Sequence, residues 1–560
     1  MDGLEITVLL GAAVLVGALV APRLRVAVPL LLLAFGLVLG FVPELREVQL
    51  PPETVLLLFL PVMLFWESLT TSLRAIRRDL RGIVLMSTLL VVATAFAVAG
   101  AAHVMGLPWE IALILGAAVA PPDATAVAAL GRTLPHRNFM VLKAESLTND
   151  GTALVISSVA VGVAVGGQYT PWTITGLVVL SYAGGVVAGL AVAGVAYLLM
   201  RRLRDALTIN IALLFTPFAA FLVAELVHAS GVLAVVVAGL IAAWVAPRTT
   251  TAASRRQTEA AWPLGTFLLN GALFVLIGLE VQHVAHTIDA REVGRLLGVT
   301  VVVWLVALVV RFAFQMTTVT MIRLLDRRPS QRERRMSHRA RVVSTVAGFR
   351  GAVSLAIALS VPLATANGSA LAGREDIVFV TAGVIVLTLL VQGPLLPVVV
   401  RWARLPEDRA SDEEYELAQR AITGAALASL DELAAAHAVS DEVRDRIRDD
   451  VSEALELANA QRQAREQERV DREVAVLEGM LGPSDDAERA AEAAAIEVLT
   501  MSPITRHEEH TRLRLALLAR KREVLYGLRA DGSVDDGVVN RIQARLDLEE
   551  LRLTGIEPVA

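Results

Sequence analysis

Residues 109–131 read Trp-Glu-Ile-Ala-Leu-Ile-Leu-Gly-Ala-Ala-Val-Ala-Pro-Pro-Asp-Ala-Thr-Ala-Val-Ala-Ala-Leu-Gly. Beyond Glu110 the run is apolar, and as a helix it is long enough to cross ~30 Å of hydrocarbon. In its second half Pro121 and Pro122 remove two backbone donors and break that helix. Asp123 follows directly. A carboxylate at mid-membrane costs at least ~2.5 kcal/mol, so it needs a partner or a task. Unwound backbone at that depth survives only when buried in protein or facing a water-filled cavity. A broken helix that presents free carbonyls and a carboxylate meets the needs of a cation shedding its water. The plainer alternative is a proline kink with Asp123 capping the second half-helix, although Ser or Thr would cap at lower cost.

The same reading extends over residues 1–400. Thirteen apolar spans are expected, at 4–22, 26–42, 53–69, 82–104, 109–131, 138–166, 172–200, 206–228, 230–247, 262–281, 294–322, 341–366 and 377–400. The seventh and eleventh are long and imply tilt. The first lacks a basic flank and a cleavage site, so it reads as a membrane helix, not a signal peptide. Residues 1–400 hold 29 basic and 21 acidic side chains, a net of +8. Residues 401–560 hold 22 and 35, a net of −13. The chain thus divides into a membrane domain, 1–404, and a helical tail, 405–560. With the N-terminus outside, the inner connections carry 22 of the basic residues, including eight between Arg323 and Arg341, and the outer ones carry four. That positive-inside alternation places the tail in the cytoplasm and the protein in the cytoplasmic membrane as a multi-pass chain. There are no cysteines, which excludes disulfides and thiolate chemistry. Of 51 basic residues only Lys143 and Lys521 are lysine.

The other intramembrane polar residues point the same way. Span 6 contains Glu145-Ser-Leu-Thr-Asn-Asp150. Ser146, Asn149 and Asp150 fall at i, i+3 and i+4 and share a helix face, with Glu145 turned about 100° away. Asp150 beside Asp123 would form a two-carboxylate site that holds either a cation or protons, which is the chemistry of exchange. The alternative is a buried polar network that locks spans 5 and 6 together. Span 12 contains Gly348-Phe-Arg-Gly-Ala-Val353, and Arg350 needs a carboxylate partner, with Glu145 and Glu67 as candidates. It either staples a helix break or tunes the site. Glu67 is an outer ligand or a helix-end charge. Glu225 reads as a packing or gating residue, Arg311 as the partner of an acid, and Lys143 as a side chain that snorkels to the inner surface. No histidine pattern suits a metal centre.

Spans 5 and 12, both broken, lie seven apart. If span 7 is a linker, spans 1–6 and 8–13 become two inverted six-helix repeats with their breaks in equivalent positions, a transporter architecture.

Four stretches together resemble the monovalent cation/proton antiporter family 1, the bacterial NhaP-type sodium/proton antiporters related to animal sodium/proton exchangers. They are Phe59-Leu-Pro-Val-Met-Leu-Phe-Trp-Glu67, Ala120-Pro-Pro-Asp-Ala-Thr-Ala126, Glu145-Ser-Leu-Thr-Asn-Asp150 and Gly348-Phe-Arg-Gly-Ala-Val353, in the family's order and spacing. The resemblance covers about residues 10–400. It implies an all-α membrane protein of thirteen helices, a homodimer, and elevator-like movement of a core domain. It implies Asp150 as the main ion and proton carboxylate, with Asp123, Ser146 and span-5 backbone as further Na⁺ ligands. Glu145 would pair with Arg350, and Glu67 would act through water. The Asn149-Asp150 pair resembles the version tied to electroneutral one-for-one exchange. The sequence departs from the pattern at Pro122, where similar members carry Thr or another polar residue, so selectivity among Na⁺, K⁺ and Li⁺ stays open.

The expected activity is Na⁺/H⁺ exchange across the membrane, with K⁺/H⁺ exchange at the same site as the alternative and a cation channel as the alternative of another class. No cofactor, enzymatic activity or nucleic-acid partner is expected. An intramembrane aspartyl protease lacks its Gly-x-Gly-Asp pattern. In the tail, helices are expected at 411–437, 441–480, 484–501, 505–530 and 534–553, with Val443, Ile447, Val451 and Leu455 as an apolar stripe. The tail is a candidate regulatory element or a solvated bundle that aids dimerisation.

Overall fold

The computed structural model describes residues 3–24, 26–42, 55–71, 76, 82–123, 136–167, 170–287, 290–325, 337–362, 371, 373–405, 421 and 423–481, and ten residues between 511 and 553. The chain forms two compact units, Met1–Glu407 and Asp408–Ala560. The regular elements among the described residues are all helices, without a strand. Among the described residues, eight helices are long and apolar enough to cross a membrane.

The first unit begins with α1 (Gly3–Leu24), α2 (Val28–Leu39), α3 (Leu60–Leu69), α4 (Val91–Val104), α5 (Trp109–Val119) and α6 (His136–Ala164). It continues with α7 (Pro171–Met200), α8 (Ala206–Leu226), α9 (Gly231–Thr249), α10 (Ala252–Thr287) and α11 (Ala290–Leu325). Two short helices, α12 (His338–Val346) and α13 (Ala352–Leu359), flank an unwound segment, and α14 (Arg374–Leu387) and α15 (Gly393–Ala403) close the unit. Wider π turns at Val55–Phe59, Leu85–Leu90 and Thr388–Gln392 interrupt three of the spans. Such turns release backbone groups from the helical ladder. Ser87 O, in the second of them, accepts from Thr152 Oγ1 of α6 at 2.8 Å.

Hydrophobic burial cannot drive helices together in lipid, so close packing of small residues must do so. The crossing of α2 and α10 shows this. A Cβ on Gly36 would lie 2.0 Å from Val275 O, and one on Gly278 would lie 2.3 Å from Leu33 O. Three large apolar cores stand out among the described residues. The first joins α4, α5, α11 and α14. The second joins α3, α8 and α9. The third joins α2, α10 and α12. Helix α6 contributes to all three, through Ala153 and Ala160, Leu147, and Leu142 respectively. The helix that carries Glu145, Ser146, Asn149 and Asp150 therefore lies where the cores meet.

Of the second unit, α16 (Leu430–Ala436) and α17 (Asp441–Leu481) are described. Asp205, Ser230 and Ser337 cap the starts of α8, α9 and α12 by accepting from the backbone N–H three residues on. Val443 and Ile447 of the expected stripe are exposed on α17. The expected helices at 484–501, 505–530 and 534–553 lie outside the described stretches, save isolated residues, as does the second half of span 5.

Candidate functional site

The site is built where two broken helices meet. Prolines 121 and 122 bring no N–H to Ala117 and Ala118, so α5 ends at Val119. The next donor, Asp123 N–H, turns away from Val119 and donates to Phe349 O at 2.8 Å. Phe349 lies in the unwound segment between α12 and α13. The two breaks thus satisfy each other's backbone, as burial demands. The carbonyls left over find side chains. Asn149 Nδ2 donates to Pro122 O at 3.0 Å. Arg350 Nε donates to Val119 O at 2.9 Å, which closes the C-terminus of α5. Arg350 Nη1 also donates to Gly348 O.

Asp123, Asn149 and Asp150 are buried around this junction, together with Ser146 and Glu67. Asp150, Asp123 and Glu67 stand within electrostatic reach of one another. Asn149 Oδ1 is buried with no hydrogen-bond partner among the described residues. An orphaned buried acceptor costs ~1–3 kcal/mol, and a bound cation or water removes that cost. Gly351 sets the width of the junction. A Cβ there would lie 1.8 Å from Asp123 Oδ2, so only glycine leaves room for that carboxylate.

Glu145 faces elsewhere, as its turn on the helix predicts. Its carboxylate is held in a two-toothed pair by Arg311 of α11, with Nη1 to Oε1 at 2.6 Å and Nη2 to Oε2 at 3.1 Å. Arg311 Nε donates to Ser344 O of α12 at 3.1 Å. One guanidinium therefore ties α6, α11 and α12 together. This corrects the expected Glu145–Arg350 pair. Arg350 is consumed by main-chain carbonyls, and Arg311 occupies the place beside Glu145. The sequence signal was present in Arg311, an intramembrane base in need of an acid.

Three further charged residues are placed by the structure. The Lys143 ammonium donates to Thr70 Oγ1 at the end of α3, at 2.6 Å. Arg341, counted with the inner connection, is buried in α12 with Nη1 against Met316 Sδ at 3.4 Å. Glu225 is exposed at the end of α8. Sequence reasoning also missed Gln392, whose amide, oriented to satisfy both neighbours, donates to Val346 O at 3.0 Å and accepts from Trp304 Nε1 at 2.9 Å.

Paired carboxylates, freed carbonyls and an unfilled amide oxygen on crossed broken helices can hold a small monovalent cation or protons in its place. The comparisons agree with that chemistry. Residues 10–402 match the family model described as sodium/hydrogen exchanger, transmembrane.

The chain belongs to the sodium/hydrogen exchanger family.

An uncharacterized Na⁺/H⁺ exchanger of Mycobacterium tuberculosis is 42% identical over 554 residues, which cover 98% of this chain and 96% of the relative. A sodium, potassium, lithium and rubidium/H⁺ antiporter of Bacillus pumilus is 30% identical over 67% of this exchanger and 58% of its own length. The sodium/proton antiporter MjNhaP1 of Methanocaldococcus jannaschii, solved at pH 8, superimposes with a TM-score of 0.54 at 18% identity over 72% of this chain and 99% of that one. That likeness concerns the fold. The exchanger is a multi-pass membrane protein whose relatives are transporters and not enzymes.

Proposed function

We propose that this chain is a secondary antiporter that exchanges Na⁺ for H⁺, one for one and without net charge movement, across the cytoplasmic membrane. The reading rests on the junction itself: Asp123 fixed to Phe349 across two helix breaks, with Asp150 and the open Asn149 Oδ1 beside it. Asp150 is the carboxylate that binds cation or proton in turn. Asp123, Ser146 and carbonyls of the span-5 break complete the Na⁺ ligands, and Asn149 positions Pro122 O. Glu67 supports the cluster, and Arg350 and the Glu145–Arg311 pair hold its frame. Access alternates by elevator-like movement of the core in a homodimer. The proposed topology is thirteen spans in two inverted repeats with the N-terminus outside, and the bond from Asp123 N–H to Phe349 O between the breaks of spans 5 and 12 supports it. The tail, 405–560, is proposed to be cytoplasmic and regulatory.

One observation favours a second reading within the class. Pro122 offers its carbonyl where a hydroxyl would stand in similar members, and the Bacillus pumilus relative is named for K⁺ as well as Na⁺ and Li⁺. K⁺/H⁺ exchange at the same site is therefore the alternative. Purified protein in liposomes with a trapped pH dye separates the readings. With a proton gradient imposed and the voltage clamped, recovery on adding Na⁺ or Li⁺ alone supports the sodium reading. Recovery with K⁺ as well supports the broader one, and currents far above carrier rates would indicate a channel. Asp150→Asn should abolish exchange in folded protein, and full activity in that variant would overturn the mechanism.

A further inference from the structure

Lysine is almost absent from this chain. Lys143 is the only lysine of the first compact unit, where every other basic side chain apart from histidine is arginine. It lies on α6 three residues before Ser146 and seven before Asp150, a spacing that puts all three on one helix face. Its ammonium makes one hydrogen bond among the described residues, to the neutral Thr70 Oγ1 at 2.6 Å. Thr70 ends α3, one turn beyond the buried Glu67. Thr70 Oγ1 in turn donates to the main-chain carbonyl of Glu67 at 3.2 Å.

A structural staple between α3 and α6 would be better served by arginine, whose planar fork offers five donors. The same unit uses Arg311 and Arg350 in that way, each with two or more bonds. A lysine differs in kind. It is a compact point charge on a flexible stem, closer in form to a monovalent cation. Its direct partner here is a hydroxyl, which restrains an ammonium far less than a carboxylate does.

We propose that Lys143 is a tethered competitor for the transported cation, an ammonium parked on Thr70 that holds the Glu67 end of the carboxylate cluster until an incoming cation displaces it. The inference rests on the antiport reading, because it assigns Lys143 a part in cation entry to that same site. It sets the affinity of the site on one side of the membrane and so keeps the carrier from saturating with cation.

The test uses full-length protein and two readouts. The first is the Na⁺ concentration that half-shifts thermal unfolding of the purified protein, and the second is the apparent KM for Na⁺ in liposomes. Lys143→Met should lower both by about tenfold, the order expected when a like charge is removed several ångströms from a partly buried ion. Lys143→Gln should do the same and serves where the Met variant folds poorly. Thr70→Val removes the parking hydroxyl and should move both values the other way. Unchanged values in Lys143→Met and Lys143→Gln, or a lower Vmax at unchanged KM, would make Lys143 a staple and overturn the proposal. A shift in the same direction for Lys143→Met and Thr70→Val would also overturn it. Wild-type protein that binds Na⁺ without exchanging it refutes antiport alone, and Lys143 is then judged by binding. Wild-type protein that does neither with any alkali cation refutes both.

Discussion

Arg311→Met is expected to destabilise the exchanger by ~3–5 kcal/mol, the usual cost of removing one partner of a buried ion pair. The structure shows where that cost arises. The substitution deletes two charge-assisted bonds to Glu145, at 2.6 and 3.1 Å, and a third bond to Ser344 O at 3.1 Å. It also leaves the Glu145 carboxylate, with a side chain only 4% exposed, without its bidentate partner. Glu145→Gln in the same protein should recover ~2 kcal/mol or more, since a neutral amide no longer needs that partner. The assay is a double-mutant cycle on thermal unfolding of detergent-purified protein. A parallel cycle with Arg350→Met gives the contrast. Arg350 donates to the carbonyls of Val119 and Gly348, so its coupling to Glu145 should be smaller by ~1 kcal/mol or more. Equal or greater coupling between Arg350 and Glu145 would refute the assignment, as would an Arg311→Met protein of wild-type stability.

Gly351→Ala should reduce exchange at least ~100-fold while the fold persists, because its Cβ, 1.8 Å from Asp123 Oδ2, must push that carboxylate aside by more than an ångström. Proton-coupled Na⁺ flux and thermal unfolding measured on the same preparation check this, and near-normal flux would show that Asp123 tolerates displacement. Pro122→Thr should raise the preference for Na⁺ over K⁺ in the liposome assay, since it adds a hydroxyl oxygen beside the Pro122 carbonyl that Asn149 holds; an unchanged ratio would place selectivity elsewhere. Deleting residues 405–560 should shift the pH profile of exchange, and an unaltered profile would remove the tail from regulation.

Much of the fold was legible because a bilayer imposes local rules. Every mid-span proline pair or charge carries a cost that a single stretch of sequence must declare. Ala120–Asp123 announced a break, and α5 does stop at Val119. Gly348–Gly351 announced another, and α12 and α13 leave residues 347–351 unwound between them. The candidate site was legible to the same extent. Ser146, Asn149 and Asp150 shared a face by spacing alone, and all three are buried. The pairing of charges was less legible. Two arginines and two glutamates offered several matches, and the resemblance favoured Arg350 for Glu145, whereas the folded chain uses Arg311.

The sequence alone determined that the chain is all-helical and membrane-spanning, where two of its helices break and which polar residues share a face, because hydrocarbon penalises unsatisfied backbone and bare charge residue by residue. The tertiary structure decided who meets whom. Glu145 and Arg311 are 166 residues apart, and Arg350 and Val119 are 231 apart. Partners at such distances are selected by three-dimensional proximity and by competition for acceptors, and neither leaves a trace in local spacing. Arg350 went to main-chain carbonyls because the two helix breaks left Val119 O and Gly348 O outside the helical ladder, and that left Glu145 to the guanidinium arriving on α11.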